Sequence, residues 1–215
     1  MDPSRIAELL EPFLAGSILS ASQLQNISTY IDVLIRWNAR MNLTAVRDPE
    51  EVVTRHFGES FFAARHLFPA KAVELQRSPT LRVADLGSGA GFPGLPIKIW
   101  VPDVRLTLIE SNQKKAVFLR EVVRALTLTN VDVFAGRAEH LPDAQADLVT
   151  LRAVEHFDAA LPVAAHLVAR PGRLALFISQ IQGDHAFTLM PDFRWSEPVP
   201  IPLSSRRILL VGSLQ

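Results

Sequence analysis

The residues best suited to chemistry form a glycine-rich segment near the middle of the chain. Asp85-Leu86-Gly87-Ser88-Gly89-Ala90-Gly91 spaces three glycines two apart and places an acid two residues before the first. Such glycines allow a tight turn and let a ligand lie against backbone that carries no Cβ atom. The spacing is G-x-G-x-G, because Phe92 stands where a G-x-G-x-x-G dinucleotide fingerprint needs its third glycine. The carboxylate of Asp85 favours a ligand with a positive or hydrogen-donating end over a pyrophosphate, which it would repel.

A second acid, Glu110, follows the loop at the end of the next predicted strand. In nucleoside-binding sheets an acid at this place accepts hydrogen bonds from the hydroxyls of a ribose. Asp85 near an amino-acid ammonium and Glu110 at a ribose together describe S-adenosylmethionine. We therefore expect Asp85, Gly87, Gly89 and Glu110 to bind this cofactor. The alternative is a tight structural turn beside an incidental exposed acid.

The elements that must position these residues alternate between strand and helix from residue 81 onward. Short apolar runs predict strands at 81–86, 104–109, 131–134, 147–151, 174–178 and, in the tail, 206–211. Helical sequence separates most of them, beginning for example at the cap Ser111-Asn112 and running to about Leu126. This alternation predicts a parallel sheet with helices on both faces. In such a sheet, ligands bind beyond the carboxyl ends of the strands.

The first seventy residues are predicted to be helical. Ser20 and Gln23 have the spacing of a capping box, and Asp48 precedes a proline suited to the first helical turn. Apolar residues recur at helical spacing between Leu24 and Leu34. We expect a helical extension over 1–77 and a sheet domain over 78–215, joined at the linker-like 77–80 and packed as one compact unit.

Composition narrows the classes of function that the chain can serve. Its 22 Lys and Arg residues balance 22 Asp and Glu residues over 215 positions, which argues against a free-standing polybasic nucleic-acid binder. With no Cys, disulfides, Cys-based zinc sites and thiol nucleophiles are excluded. The six His residues lack ligand spacing, so no metal is expected. No apolar stretch is long enough to span a membrane and the N-terminus lacks a signal peptide's positive charge, so we expect a cytoplasmic protein without a membrane partner.

Short motifs spread along the chain resemble those of one known family. They are Trp37-Asn38-Ala39-Arg40-Met41-Asn42-Leu43-Thr44, Arg47-Asp48-Pro49, Arg55-His56, the loop 85–94, Ser111-Asn112-Gln113-Lys114-Lys115, Phe118-Leu119-Arg120, Gly136-Arg137-Ala138-Glu139 and Arg152-Ala153. The pairing of W-N-x-x-x-N-L-T with D-x-G-S-G-x-G-x-P-G is much more specific than a glycine loop alone. Over about residues 24–178 the chain resembles the glucose-inhibited division protein B family, the guanine-N7 methyltransferases of small-subunit ribosomal RNA.

The resemblance implies a Rossmann-like class I S-adenosylmethionine-dependent methyltransferase with a mostly parallel seven-stranded sheet and an N-terminal helical extension. Carried over by position, Gly87 and Phe92 would line the cofactor, and Ala138 and Glu139 would lie at its adenine. Arg152 would close the site near donor and acceptor as the catalytic residue. The implied partner is 16S rRNA within the small ribosomal subunit or its precursor. We expect the protein to be a monomer.

The chain also departs from the pattern of this family. Gly58-Glu59-Ser60 exchanges one acid for another, Leu151 replaces a usual Ser, and Ile178-Ser179 stands where Lys-Gly is common. These departures leave open another RNA or a small molecule as the acceptor. A NAD(P)-dependent oxidoreductase and a non-catalytic RNA or ribosome-assembly binder are further alternatives, although Phe92 and Asp85 argue against the first. His56 is equally suited to facing the acceptor and to packing.

Overall fold

The computed structural model describes residues 1–69, 80–141, 145–154 and 156–214. Most of the predicted linker at 77–80, and with it the division between 77 and 78, lies outside these residues. The division into an extension and a sheet domain therefore stays a prediction.

A single twisted sheet forms the centre of the described part of the chain. Its strands are β1 (Arg82–Leu86), β2 (Arg105–Ile109), β3 (Val131–Phe134), β4 (Ala146–Arg152), β5 (Val168–Ser179), β6 (Arg194–Trp195), β7 (Val199–Pro200) and β8 (Arg207–Leu214). The order is β3-β2-β1-β4-β5-β8-β6, with β1 to β5 parallel and β8 antiparallel to β5. Because β6 and β7 both pair with β8, they share one lateral position. Within the described residues the sheet therefore has eight strands in seven lateral positions, one strand more than the seven predicted.

Helices cover both faces of this sheet. They are α1 (Pro3–Leu14), α2 (Ala21–Asn38), α3 (Pro49–Val52), α4 (Glu59–Leu67), α5 (Gly94–Trp100), α6 (Gln113–Ala125), α7 (Phe157–His166) and α8 (Gln180–Leu189). A π-helical segment, Val53–Gly58, joins α3 to α4, and a short 3-10 turn spans Ala138–His140. No helix within the described ranges is long and apolar enough to cross a membrane.

The predicted helix starts are confirmed at three places. Ser20 and Gln23 form the capping box of α2, the Asp48 side chain accepts a hydrogen bond from Glu51 N at 2.8 Å, and Asn112 caps α6. The fifth strand begins earlier than predicted, at Val168, because β5 continues through the Pro171-Gly172 step across a register shift against β4.

Two hydrophobic layers hold the helices on the sheet. The N-terminal helices α1 to α4 share one buried cluster with α5, α6 and one face of the strands. The other cluster lies between the opposite face and the helices α7 and α8. Trp37 at the end of α2 packs on Phe118 of α6, with ring centroids 5.7 Å apart. The expected N-terminal extension is therefore a packed layer of the molecule.

Candidate functional site

The glycine loop leaves the carboxyl end of β1 and is tied to the end of β2 by backbone hydrogen bonds. Gly87 N and Ser88 N both donate to Ile109 O, at 2.9 and 3.0 Å. Gly87, Gly89 and Gly91 have φ values of +69°, +56° and +89°, which are strained for residues with a side chain. A Cβ atom at Gly87 would also lie 3.2 Å from Val154 Cγ1, so glycine keeps this surface open.

Glu110 fixes the loop to the second strand through both of its carboxylate oxygens. Oε2 accepts from Gly89 N and Oε1 accepts from Asn112 N, each at 2.8 Å. Only 7% of the residue is exposed, yet it forms part of the wall of a cleft. Since a carboxylate offers about four acceptor positions, Glu110 retains capacity for hydroxyl donors of a ligand.

This cleft lies at the carboxyl edge of the sheet and has a volume of about 540 Å3. That volume falls within the range of roughly 300–1,000 Å3 that is usual for small-molecule sites. Its walls come from the loop after β1, the end of β2, the turn after β3 and the start of α7. Four of the predicted cofactor residues line it: Gly87, Glu110, Ala138 and Glu139.

Four other predicted residues do not line this cleft. Gly89 is bonded to Glu110, and three residues, Asp85, Phe92 and Arg152, lie on the sheet face that carries the N-terminal helices. Asp85 is 1% exposed, and its carboxylate accepts from Thr150 Oγ1 at 2.7 Å and from Gly94 N at 3.3 Å. Burial raises the pKa of Asp85 to about 6, and the hydrogen bond from Thr150 opposes this effect. The carboxylate of Asp85 thus has partners inside the protein, and its expected contact with a ligand ammonium stays a prediction.

Phe92 is the second residue directed away from the cleft. Its ring stacks on Tyr30 at a centroid distance of 5.3 Å and on His56 at 4.8 Å, and Phe57 meets it edge-on at 5.1 Å. The Tyr30 hydroxyl donates to Ala90 O. The N-terminal layer therefore packs against the glycine loop through an aromatic cluster that consists of Tyr30, His56, Phe57 and Phe92.

Arg152, the third residue, ends β4 and joins a buried ionic cluster. Its Nη2 donates to Glu59 Oε2 at 2.8 Å and to Arg55 O at 2.7 Å, while the other Glu59 oxygen pairs with Arg207. Burial lowers the pKa of Arg152 and raises the pKa of Glu59, and their mutual attraction opposes both changes. The guanidinium carbon lies 6.0 Å from the Phe92 ring centroid, so the cluster adjoins the glycine loop.

His56 borders the same cluster and is neutral at physiological pH. Its Nδ1 lies 3.3 Å from Arg152 Nη2 and its Nε2 lies 2.8 Å from Thr44 Oγ1, an arrangement that assigns the ring proton to Nε2. Burial, followed by the charges of Arg152, Arg55 and Arg207, lowers the pKa of His56 to about 3. The π-helical segment carries His56 to this position, a placement that local sequence does not predict.

The W-N-x-x-x-N-L-T motif builds a loop beside this cluster. Asn38 Oδ1 accepts from Leu43 N and Thr44 N at 2.9 and 3.1 Å, and Asn38 Nδ2 donates to Thr44 O at 3.1 Å. The motif thereby places Thr44 against His56.

Ser179, which stands where the family commonly has Gly, lies at the end of β5. It caps α8 by accepting a hydrogen bond from Gln182 N at 3.3 Å.

Sequence reasoning missed one wall of the cleft. The residues that follow β4, together with the inner side of α7, complete it: Ala153, Val154, His156, Ala159, Ala160 and Val163. The rule that ligands bind beyond strand ends points to Ala153 and Val154, because β4 is adjacent to β1. The sequence of α7 contains no pattern that would have predicted its part in the cleft.

In the described ranges, no group of three or more acidic, His or Cys residues is arranged to hold a metal ion.

The strand order, the antiparallel strand β8 and the glycine loop at the end of β1, where the strand order reverses, define a class I S-adenosylmethionine-dependent methyltransferase fold. Solved structures share it. A ribosomal protein L11 methylase from Lactobacillus delbrueckii superposes with a TM-score of 0.58 at 15% identity, covering 74% of this chain and 79% of that one. M. jannaschii TYW2 in complex with AdoMet gives a TM-score of 0.51 at 14% identity, covering 66% of this chain and 72% of that one.

Sequence comparison then gives the family. Residues 23–188 match the family model described as GidB: rRNA small subunit methyltransferase G. A ribosomal RNA small subunit methyltransferase G from Stenotrophomonas maltophilia is 38% identical, covering 94% of this chain and 90% of the relative. One from Xylella fastidiosa strain M23 is 46% identical, covering 67% and 64%. The chain belongs to the GidB family, as its motifs predicted.

Proposed function

We propose that this protein transfers a methyl group from S-adenosylmethionine to N7 of a guanine in small-subunit ribosomal RNA. Besides membership of the family, one structural observation supports this proposal. Glu110 holds the glycine loop at Gly89 and still presents its carboxylate to a cleft of about 540 Å3. Such a cleft suits a nucleoside bound at the carboxyl edge of the sheet.

The residues of the cleft fit S-adenosylmethionine. Glu110 would accept hydrogen bonds from the ribose hydroxyls, and the Cβ-free surface at Gly87 would lie against the ligand. Ala138 and Glu139, on the turn after β3, would flank the adenine. Gly89 would act through its hydrogen bond to Glu110. When bound, this cofactor supplies an electrophilic methyl group on a sulfonium sulfur.

The roles proposed for the remaining residues are indirect. Asp85 and Phe92 would shape the loop from the side of the N-terminal helices, because their contacts lie there. Only 7% of the Arg152 side chain is exposed, and its Nη2 is already bound to Glu59. We therefore propose that Arg152 is a positioning residue at the transfer region and does not contact the methyl group directly.

Methylation of guanine N7 requires no acid or base catalysis from these side chains. Its lone pair is already nucleophilic, so no residue has to remove a proton before the in-line transfer. The protein's own contribution is then to hold donor and acceptor in line, an effect worth up to about 7–11 kcal/mol in well-aligned systems. The lack of Cys fits this reaction, since a thiol adduct is not required. The sequence also lacks the Asn-Pro-Pro-Tyr and Asp-Pro-Pro-Tyr motifs of exocyclic amine methylation.

The substrate form that we propose is 16S rRNA presented in the small ribosomal subunit or its precursor, recognised by a monomer in the cytoplasm. The formal net charge of zero has two explanations. Either positive charge is concentrated around the mouth of the site, or the RNA is presented in a particle, where shape and several weak contacts share the affinity. Equal methylation of short isolated oligonucleotides would contradict this part of the proposal.

The test has two stages, the first of which measures ligand binding by thermal shift. S-adenosylhomocysteine at a hundred times its dissociation constant should stabilise the protein by about 2.7 kcal/mol, or several degrees, whereas NADH should not. The Glu110→Gln variant should show a reduced shift. Glu121→Gln serves as the control, because Glu121 of α6 pairs with Arg124 and does not line the cleft. A shift with NADH alone would identify an oxidoreductase.

The second stage measures transfer of a labelled methyl group to small subunits taken from cells that lack this protein. Nuclease digestion and mass spectrometry of the nucleosides should show N7-methylguanosine in the 16S rRNA. Cofactor binding without any transfer to subunits or to free rRNA would refute the proposed acceptor. The same result would favour a small-molecule substrate.

A further inference from the structure

Arg207 lies at the carboxyl edge of the sheet, next to the strand end where α8 begins. It is the first residue of β8 and pairs in antiparallel register with Ser179, the last residue of β5. Its guanidinium reaches across to Glu59 of the N-terminal layer, where Arg152 binds the other carboxylate oxygen. Arg207 therefore extends the buried cluster to the outer part of this edge.

Two arginines of the cluster compete for one carboxylate. Two guanidinium groups, those of Arg152 and Arg207, share the single carboxylate of Glu59, which is 2% exposed. The neighbouring His56 is uncharged, because burial lowers its pKa to about 3. Asp85 also attracts the charge of Arg152, so two acids of the protein stabilise that guanidinium. Arg207 shares Glu59 with Arg152, and an anion arriving from solvent would meet the charge of Arg207.

Of the two guanidinium groups, that of Arg207 is the more exposed to solvent. Its side chain is 30% exposed, against 7% for Arg152, and its Nε is buried with no hydrogen-bond partner in the residues described. Glu59 engages Arg207 Nη2, so the guanidinium keeps further N–H donors. Arg206, the preceding residue, is exposed and adds a second cation. Arg152 is thus the inner, positioning member of the cluster, and Arg207 is the member that solvent reaches.

We infer that Arg207 binds a phosphodiester group of the RNA acceptor and that Glu59 holds its guanidinium in place for this contact. The planar fork of arginine matches the oxygens of a phosphate, and phosphate contacts fix the register of a nucleic acid on a protein. The position suits an acceptor strand, since the cluster adjoins the glycine loop through Phe92. The inference rests on the proposed function, because it takes RNA as the substrate.

The experiment compares Arg207→Gln with Arg194→Gln by measuring the affinity for small ribosomal subunits between 50 and 200 mM KCl. Arg194 is an exposed arginine on β6, which pairs with the far end of β8, so its loss matches the change in charge. Arg207→Gln should weaken binding about tenfold or more. It should also reduce the slope of log K against log salt by about 0.7–0.9, the value of one phosphate contact. Arg194→Gln should leave both quantities unchanged.

Two further measurements separate the possible failures. Affinity for S-adenosylhomocysteine should be the same in both variants and the wild type, which distinguishes loss of the RNA contact from damage to the fold. If Arg207→Gln does not fold, Arg207→Lys carries the test, with weaker binding but an unchanged salt slope expected. Wild-type binding and slope in the folded glutamine variant, or wild-type binding in the lysine variant, would overturn the inference. Absence of methyl transfer by the wild-type protein would instead refute the proposed function and leave the binding comparison intact.

Discussion

The carboxyl group of Asp85 makes the stability of the protein depend on pH. Its pKa is raised to about 6 by burial, against 3.8 for an ordinary Asp, so the folded state holds the proton more tightly than the unfolded chain. The stabilisation from this group is fully present below pH 3.8 and is lost as the pH rises through 6. Above that value the folded protein contains a buried carboxylate. The Thr150 hydroxyl and the Arg152 charge stabilise this carboxylate and offset part of the cost of its burial.

We predict that Asp85→Asn becomes more stable relative to the wild type as the pH rises from about 4 to above 6. The difference should change by up to about 3 kcal/mol, because each unit of pKa is worth about 1.4 kcal/mol. The amide oxygen can still accept from Gly94 N, and the amide N–H can donate to Thr150 Oγ1. Urea unfolding of both proteins at pH 4.5 and 7.5 measures this difference. A difference independent of pH would show that Asp85 does not titrate in this window.

Residue types and positions were predictable here, but the direction of the side chains was not. Glu110, Ala138 and Glu139 follow strands and line the cleft as expected. Asp85 lies on β1 in register with Leu108 and Thr150, and these strands are buried on both faces. Such strands lack the polar alternation that would tell one face from the other. The sequence therefore leaves open which face an acid at a strand end will take.

One hydroxyl group adds a hydrogen bond to the aromatic packing between α2 and the glycine loop. Tyr30, the sole Tyr of the chain, is fully buried and donates to Ala90 O inside the loop. We predict that Tyr30→Phe weakens binding of S-adenosylhomocysteine several-fold, because a buried carbonyl loses its donor at a cost of about 1–3 kcal/mol and the loop relaxes. Isothermal titration calorimetry measures the affinity, and kcat at saturating substrates should stay within about twofold.

Ile27→Val is the matched control for this variant. Ile27 lies on the same helix, is fully buried and makes no contact with the loop through a polar group, so its loss should destabilise the protein by about 0.5–1.5 kcal/mol. Ligand affinity should survive in this control. An equal loss of affinity in both variants would mean that α2 acts on the loop only through overall stability.

Elements were predictable where their signals are local. The caps at Ser20, Asp48 and Asn112 depend on residues within one turn, and all three are present. The two-residue strands β6 and β7 form through pairing with residues of β8 that lie eight or more positions away in sequence, and no local pattern predicts them. The π-helical segment is likewise fixed by tertiary contacts, such as the hydrogen bond from Arg152 to Arg55 O.

At the scale of the whole molecule, the N-terminal helices and the sheet share one hydrophobic core. Ile6 and Leu10 of α1 belong to the same buried cluster as Val83, Leu108 and Ala175 of the strands. The sheet without its extension would expose that apolar face to water. We therefore expect residues 1–77 and 78–215 to unfold together, although the sequence suggests two segments of different texture.

Two of the three Trp residues report separately on these parts. Trp37 ends α2 and packs on Phe118, whereas Trp195 lies on β6 at the far edge of the sheet and stacks on Phe193 with centroids 5.5 Å apart. The double variants Trp100→Phe with Trp195→Phe, and Trp37→Phe with Trp100→Phe, each leave one fluorophore. Urea unfolding followed by fluorescence and by circular dichroism should give coincident midpoints and slopes within each protein. A Trp37 transition at lower urea than the loss of circular dichroism would mean that the helical layer detaches from a sheet that is stable alone.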